Sequence, residues 1–237
     1  MSHMPSLAGP GETLAPQLGS RDLRPAWLDR LMAAARSTDA AWFSRVVTPD
    51  EGGRESAVLL LFGPDPDGED AVLLIERAHD MRSHPGQVAL PGGGTEAGDV
   101  DAAGTALREA QEEVLLDPLG VEVLGTLPRL FLPVGGFLVT AVVGWWRDPG
   151  PVGLGDPAEV ARVILAPLSY LTDPANRFTV SHPSGYRGPA FALGDDLLLW
   201  GFTGGIVDKV LELAGLARPW DGDRVQALPD RLTRGRA

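Results

Sequence analysis

Gly92-Gly93-Gly94-Thr95-Glu96-Ala97-Gly98-Asp99, followed by Ala106-Leu107-Arg108-Glu109-Ala110-Gln111-Glu112-Glu113-Val114, is the stretch from which the chain is read. A glycine-rich loop leads into a helix. At about 100° per residue, Glu109, Glu112 and Glu113 fall at i, i+3 and i+4 and share one flank of that helix. Ala103, Ala106, Leu107, Ala110 and Val114 fall on the adjoining arc, an apolar stripe suited to docking on a sheet. Like charges at this spacing cost an isolated helix about 0.2–0.5 kcal/mol per pair. Arg108 is the only cationic side chain within the stretch. A divalent cation converts the repulsion into affinity. Hard oxygen donors, with neither Cys nor His among them, suit Mg2+ or Mn2+ rather than Zn2+. The alternative is a solvated acidic face with no ligand.

The glycines Gly92, Gly93 and Gly94 permit close backbone approach, and their amides meet an anion or orient the helix. Asp99 or Asp101 is the expected N-cap. Upstream, Ser56 to Gly63 and Ala71 to Arg77 read as two strands of a hairpin, joined by the turn Pro64-Asp65-Pro66-Asp67-Gly68. The loop His79 to Pro85 gathers Arg77, His79, Arg82 and His84. Its functional reading is a cationic wall for ligand phosphates; its other reading is surface charge, with His84 fixing a turn before Pro85. Gln87 either hydrogen-bonds a ligand or orders the loop.

The remaining chain alternates strands and helices. Pro25 to Arg36 reads as a packing or dimer-contact helix, with Trp27, Leu28, Leu31, Met32 and Ala35 at helical spacing. Arg45 to Pro49 leads into the domain proper. Val121 to Leu127 and Phe137 to Trp146 read as strands. The apolar loop Pro128 to Gly136 lies between them, and its Phe131 packs on substrate or on the core. Trp145 and Trp146 are adjacent and so face opposite sides of their strand. Glu159 is the best acidic candidate outside the helix, as an extra metal ligand or base, with a structural salt bridge as the alternative. Leu168 to Leu171 is a short helix, and Phe178 to Phe191 a hairpin turning at His182-Pro183-Ser184-Gly185. Ile206 to Leu216 is the last helix, with Thr203 as its N-cap.

Gly93-x5-Asp99-x8-Arg108-Glu109-Ala110-Gln111-Glu112-Glu113-Val114-Leu115-Leu116 resembles a Nudix box, G-x5-E-x7-R-E-U-x-E-E-x-G-U with U aliphatic. Asp99 stands for the first Glu, one extra residue precedes Arg108, and Leu115 replaces the usual Gly. The first two departures resemble the coenzyme A pyrophosphatase branch of the Nudix hydrolases. The run Leu74-Ile75-Glu76-Arg77-Ala78-His79-Asp80-Met81-Arg82-Ser83-His84-Pro85-Gly86-Gln87-Val88-Ala89-Leu90-Pro91 resembles that branch's second signature. Trp200-Gly201-Phe202-Thr203 is similar to its Trp-Gly-x-Thr segment.

The resemblance implies an α+β fold, a mixed sheet between helices in an α/β/α sandwich. It implies metal-dependent hydrolysis of coenzyme A or acyl-CoA to 3′,5′-ADP and 4′-phosphopantetheine. Glu109 and Glu113 are then the principal metal ligands, and Glu112 a further ligand or water-orienting base. Arg108 holds a Glu of its own helix. Arg77, Arg82 and His84 are candidates for the 3′-phosphate. Other Nudix substrates, such as ADP-ribose, dinucleoside polyphosphates or damaged nucleotides, form the second hypothesis. A non-catalytic ligand sensor forms the third, disfavoured by the intact carboxylates.

The chain has 237 residues and a formal net charge of −12, which argues against broad binding to nucleic acid or an anionic membrane; the small nucleotide-derived substrate is what the resemblance implies. No apolar run is long enough for a membrane span. The chain has no Cys, so cytoplasm is the default compartment. The expected organisation is a flexible arm over 1–20, a helical extension over 21–55, the hydrolase domain over 56–217 and a flexible tail over 218–237. A homodimer contact through the extension is compatible with this layout.

Overall fold

The structure is a computed structural model that describes residues 3–16, 24–44, 52–81, 83–194 and 196–233. Strands β1 (Ser6–Ala8) and β2 (Thr13–Leu14) precede helices α1 (Ala26–Ala35) and α2 (Ala40–Phe43). The hairpin β3 (Arg54–Pro64) and β4 (Asp70–Arg77) follows, then the short β5 (Val88–Ala89) and β6 (Gly92–Gly94), then the acidic helix α3 (Ala102–Val114). Next come β7 (Val121–Thr126), β8 (Leu130–Leu132), β9 (Phe137–Trp146), β10 (Val152–Gly153), β11 (Val160–Pro167) and α4 (Leu168–Leu171). The chain closes with β12 (Arg177–Ser181), β13 (Arg187–Ala192), β14 (Leu198–Leu199), α5 (Gly201–Leu213), β15 (Val225–Ala227) and α6 (Asp230–Thr233).

The main sheet runs β1-β11-β4-β3-β9-β7, with β5, β6 and β8 paired onto β4, β3 and β9. The β3–β9 pair is parallel and its neighbours are antiparallel, so the sheet is mixed. Its central strands are apolar on both faces, as a sheet covered by helices on both sides requires. Along β3 the side chains alternate. Leu60 and Phe62 join Trp27, Leu28 and Leu31 of α1 and Val207, Val210 and Leu211 of α5. Leu59 and Leu61 join Ala106, Ala110 and Val114 of α3. The Trp pair divides in the same way, Trp145 entering the first core and Trp146 the second. The result is the expected α+β arrangement, a mixed sheet between helices. No helix among the described residues is long and apolar enough to cross a membrane.

Several expectations are corrected. The arm over 1–20 is not loose where it is described. Residues Ser6 to Ala8 hydrogen-bond to β11 as an edge strand, β2 pairs with β10, and Ala8 and Leu14 are buried. The low-complexity composition hid a strand too short to show a period. The 21–55 extension is not separate, because α1 shares one hydrophobic core with β3, β4 and α5. Trp27 Nε1 also donates to Asp70 at 3.1 Å. The tail over 218–237 is built in where it is described. Strand β15 pairs in parallel with β12, and Leu228 and Leu232 are buried against Phe178 and Val180. Trp220 lies over the buried Arg177 guanidinium at 4.5 Å.

The loop Pro128 to Gly136 contains β8, paired with the start of β9. Helix α5 begins at Gly201, with Trp200 as an N-cap that makes no side-chain bond, so Thr203 lies inside the helix. The chain reverses as soon as β14 ends, and the Trp200 carbonyl accepts the Gly204 amide at 3.1 Å. The segment Arg45 to Pro49 lies outside the described residues.

Candidate active site

Helix α3 is positioned from both ends. At its start Asp101 is the N-cap, accepting the Gly104 amide at 2.9 Å. At its end Leu115 takes the left-handed conformation, φ 58°, at the position where glycine is favoured. The Leu116 amide reaches back to the Ala110 carbonyl at 3.4 Å, and the Gly155 amide donates to the Glu113 carbonyl at 3.0 Å. A methyl on Gly155 would lie 1.8 Å from the Glu112 carbonyl oxygen, so only glycine lets that loop close on the helix. Between the ends, Ala106, Ala110 and Val114 anchor the helix to the sheet and leave its carboxylate flank facing the glycine loop.

The loop and the helix interlock. Strand β6 pairs Gly92, Gly93 and Gly94 with Val58, Ala57 and Ser56 of β3. The Gly92 amide donates to Glu113 Oε2 at 2.9 Å. Asp99 turns back on the helix and accepts from Arg108 Nε at 3.1 Å, from Thr105 Oγ1 at 2.9 Å and from the Glu96 amide at 2.9 Å. These bonds, the Arg108 guanidinium first, hold its carboxyl down at about 2. Arg108 also reaches Glu109 at 3.0 Å, Glu112 at 3.1 Å and the Gly94 carbonyl at 3.0 Å. Its proton is held above the ordinary arginine value, chiefly by the Asp99 hydrogen bond. Arg108 therefore ties the loop to the helix and orients two of the three acidic side chains.

The three helix carboxylates differ. Glu113 is 2% exposed. Burial pushes its carboxyl up to about 8 against the opposing Gly92 amide and Arg77 charge. Glu109 is raised by burial, with Arg108 opposing. Glu112 points outward, 60% exposed, into its pair with Arg108. Glu159, on the approach to β11, is exposed, and its charge acts on both Glu109 and Glu113.

This donor set fits a hard divalent cation. It is all oxygen, it is mutually repulsive, and its most buried member, Glu113, accepts the Gly92 amide. Among the described residues no group of three or more acidic or His side chains is already drawn close enough to hold an ion. Glu109, Glu112 and Glu113 lie on one flank of α3.

The upstream segment comes to the same place. Strand alternation turns Arg77 to the α3 face, where its charge acts on Glu113 and on His84. The Arg77 Nε is buried and has no hydrogen-bond partner among the described residues. His84 sits at φ 53°. Burial first, then Arg77, lowers its pKa, and the Gln87 side chain opposes both by hydrogen bonding to it. Arg82 lies outside the described residues. Phe131 lies on β8, half-buried and paired with Leu138 of β9.

Sequence reasoning passed over Gly155, Glu76 and Arg162. Glu76 is 1% exposed and paired with Arg162. A charge abutting each of two apolar strand runs, Leu73 to Ile75 and Val163 to Leu165, was the available signal.

A family model described as the NUDIX domain matches residues 53–178. A protein of Photorhabdus laumondii subsp. laumondii, named as an uncharacterized Nudix hydrolase NudL, is 37% identical over 166 residues, covering 68% of this chain and 86% of that protein. Nudix hydrolase 15, mitochondrial, of Arabidopsis thaliana is 35% identical over 163 residues, covering 65% of this chain and 56% of that protein. The crystal structure of RenU, a Nudix hydrolase from M. smegmatis, superposes with a TM-score of 0.50 at 21% identity, covering 72% of this chain and 91% of that one. That likeness is one of fold.

Proposed function

The chain belongs to the Nudix hydrolases, and from that premise we propose that it cleaves the phosphoanhydride of coenzyme A or an acyl derivative. The products are 3′,5′-ADP and 4′-phosphopantetheine or its acyl form. The observation that carries this reading is the position of Arg77. Its buried Nε lacks a partner among the described residues, and its charge reaches both Glu113 of the acidic helix and His84 of the upstream loop. The two halves of the sequence signature thus meet around one guanidinium, and a phosphate-bearing ligand supplies the acceptor it lacks.

Glu109 and Glu113 are the residues that would hold Mg2+ or Mn2+, with Glu112 or Glu159 adding a ligand or orienting water. Such an ion polarises the phosphoryl oxygens, neutralises their charge and lowers the pKa of bound water. The chain's own residues do the rest. The amides of Gly92 and Gly93 border the diphosphate, Arg77 and His84 receive its phosphates, and Gln87 holds His84 in place. A water oxygen adds to one phosphorus, the bridging oxygen leaves with its bonding electrons, and a carboxylate, Glu112 or Glu159, accepts the water proton.

Mass spectrometry of products formed from coenzyme A and Mg2+ or Mn2+ tests the reading. The expected result is 3′,5′-ADP and 4′-phosphopantetheine, and in heavy-oxygen water the label marks the attacked phosphorus. Clear preference for ADP-ribose or a dinucleoside polyphosphate replaces the substrate but keeps the reaction. Binding without turnover, at high protein and Mn2+, replaces catalysis with sensing.

A further inference from the structure

Glu76 is a buried carboxylate at the end of the apolar run of β4, and alternation turns it to the sheet face opposite Arg77. Its two oxygens are divided between two partners. Oε2 accepts from Arg162 Nε, and Oε1 lies 3.3 Å from His79 Nε2. Arg162 continues to Asp196 Oδ2 at 2.7 Å. A carboxylate removed from water is retained where a charged hydrogen-bond partner holds it, as Arg162 does here, and its second oxygen faces the His79 ring.

Each partner leads to a different wall of the candidate site. Arg162 sits at a bulge, where the β4–β11 register slips between Val160 and Arg162. Bulges of this kind re-aim neighbouring side chains. Just before it, the Glu159 carbonyl accepts the Ala78 amide at 2.8 Å. His79 packs on Gly86, where a methyl group would lie 2.9 Å from its Nδ1. Gly86, at φ 65°, closes the loop that carries His84. Its amide donates to the Arg77 carbonyl at 3.1 Å, and the Arg77 amide donates to the Gln87 carbonyl at 3.0 Å.

We propose that Glu76 is a positioning residue for substrate binding: through His79 it holds the Gly86 end of the loop bearing His84, and through Arg162 it holds the bulged strand that presents Glu159. The inference rests on the reading of that loop as the phosphate-binding wall. Glu76 itself touches neither substrate nor metal, being on the far face of the sheet.

The test compares Glu76→Gln and His79→Ala with the unaltered full chain. Amide exchange followed by nuclear magnetic resonance reports the clamp directly. The Gly86 and Arg77 amides are expected to exchange at least about tenfold faster in both variants, while the Val114 amide of α3 keeps its rate. In turnover of coenzyme A with Mg2+, KM is expected to rise about fivefold or more with kcat within about twofold. Unchanged exchange at Gly86 in His79→Ala overturns the proposal, as does a loss of kcat at constant KM. If Glu76→Gln does not fold, His79→Ala decides alone, its side chain being largely exposed. If the unaltered protein hydrolyses no diphosphate, the functional reading fails, and the exchange measurement still judges the clamp.

Discussion

Gly93 and Glu109 are built against one another: a methyl group on Gly93 would lie 2.4 Å from Glu109 Oε1 and 2.5 Å from its carboxyl carbon. The glycine is required by the side chain opposite it. Gly93→Ala is therefore expected to swing the Glu109 carboxylate away with little damage to the fold, because the obstructed atoms end a flexible side chain. The expected loss in kcat/KM is about 100-fold, near 2.7 kcal/mol of transition-state stabilisation. The melting temperature is expected to fall by no more than a few degrees. Steady-state kinetics and thermal melts on the same preparation check both.

The buried Glu113 makes the metal-free protein sensitive to pH. Its folded pKa, about 8, is raised above the ordinary 4.5, so the folded state holds a proton that the unfolded state has released. Between these values stability must fall as pH rises, by an amount on the order of a few kcal/mol in total. Urea titrations of the metal-free protein from pH 5 to pH 9, values spanning about that window, are expected to show the decline. Glu113→Gln is expected to flatten it.

Metal uptake is linked to the same proton. A cation at Glu113 prefers the carboxylate, so binding near neutral pH releases a proton and tightens as pH rises. Calorimetry with Mn2+ in two buffers of different ionisation enthalpy is expected to return different apparent heats. Equal heats in the two buffers contradict proton release.

Leu115 occupies a left-handed backbone position and is 55% exposed, so it contributes little packing to set against its strain. Leu115→Gly is expected to stabilise the protein by about 0.5–1 kcal/mol, after allowance for the greater freedom of glycine in the unfolded chain. In a chain of this size that is a rise in melting temperature of about 1–4 °C. Activity is expected to stay unchanged, since the carboxylates precede the cap.

Gly155 makes the opposite case. A methyl there meets the backbone carbonyl of Glu112, which cannot swing aside. Gly155→Ala is expected to destabilise by about 2 kcal/mol or more, read from chemical denaturation. It is also expected to lower kcat/KM, because the displaced helix end carries Glu112 and Glu113.

Local pattern was enough for the central strands and for α3. Runs such as Val58 to Phe62 and the stripe Ala106, Ala110, Val114 carry their burial in their own periodicity, and the acidic flank follows from the same geometry. The pairing of the loop near Arg77 with the helix near Glu113 was legible only through the family resemblance. Weak, short elements were not legible at all. The three-residue strands β1 and β15 have no period to read, and they exist because a sheet edge offers them unpaired backbone groups. Chemistry along one helix face is set by sequence spacing, whereas which carboxylate is buried is decided by what packs over it. Glu112 and Glu113 are neighbours in the chain, yet Gly92 and the sheet cover one while water reaches the other. Tertiary structure likewise chose the partners of Glu76, because Arg162 and His79 come to it from a distant strand and an adjoining loop, and only the bulge at Ala161 sets Arg162 opposite it.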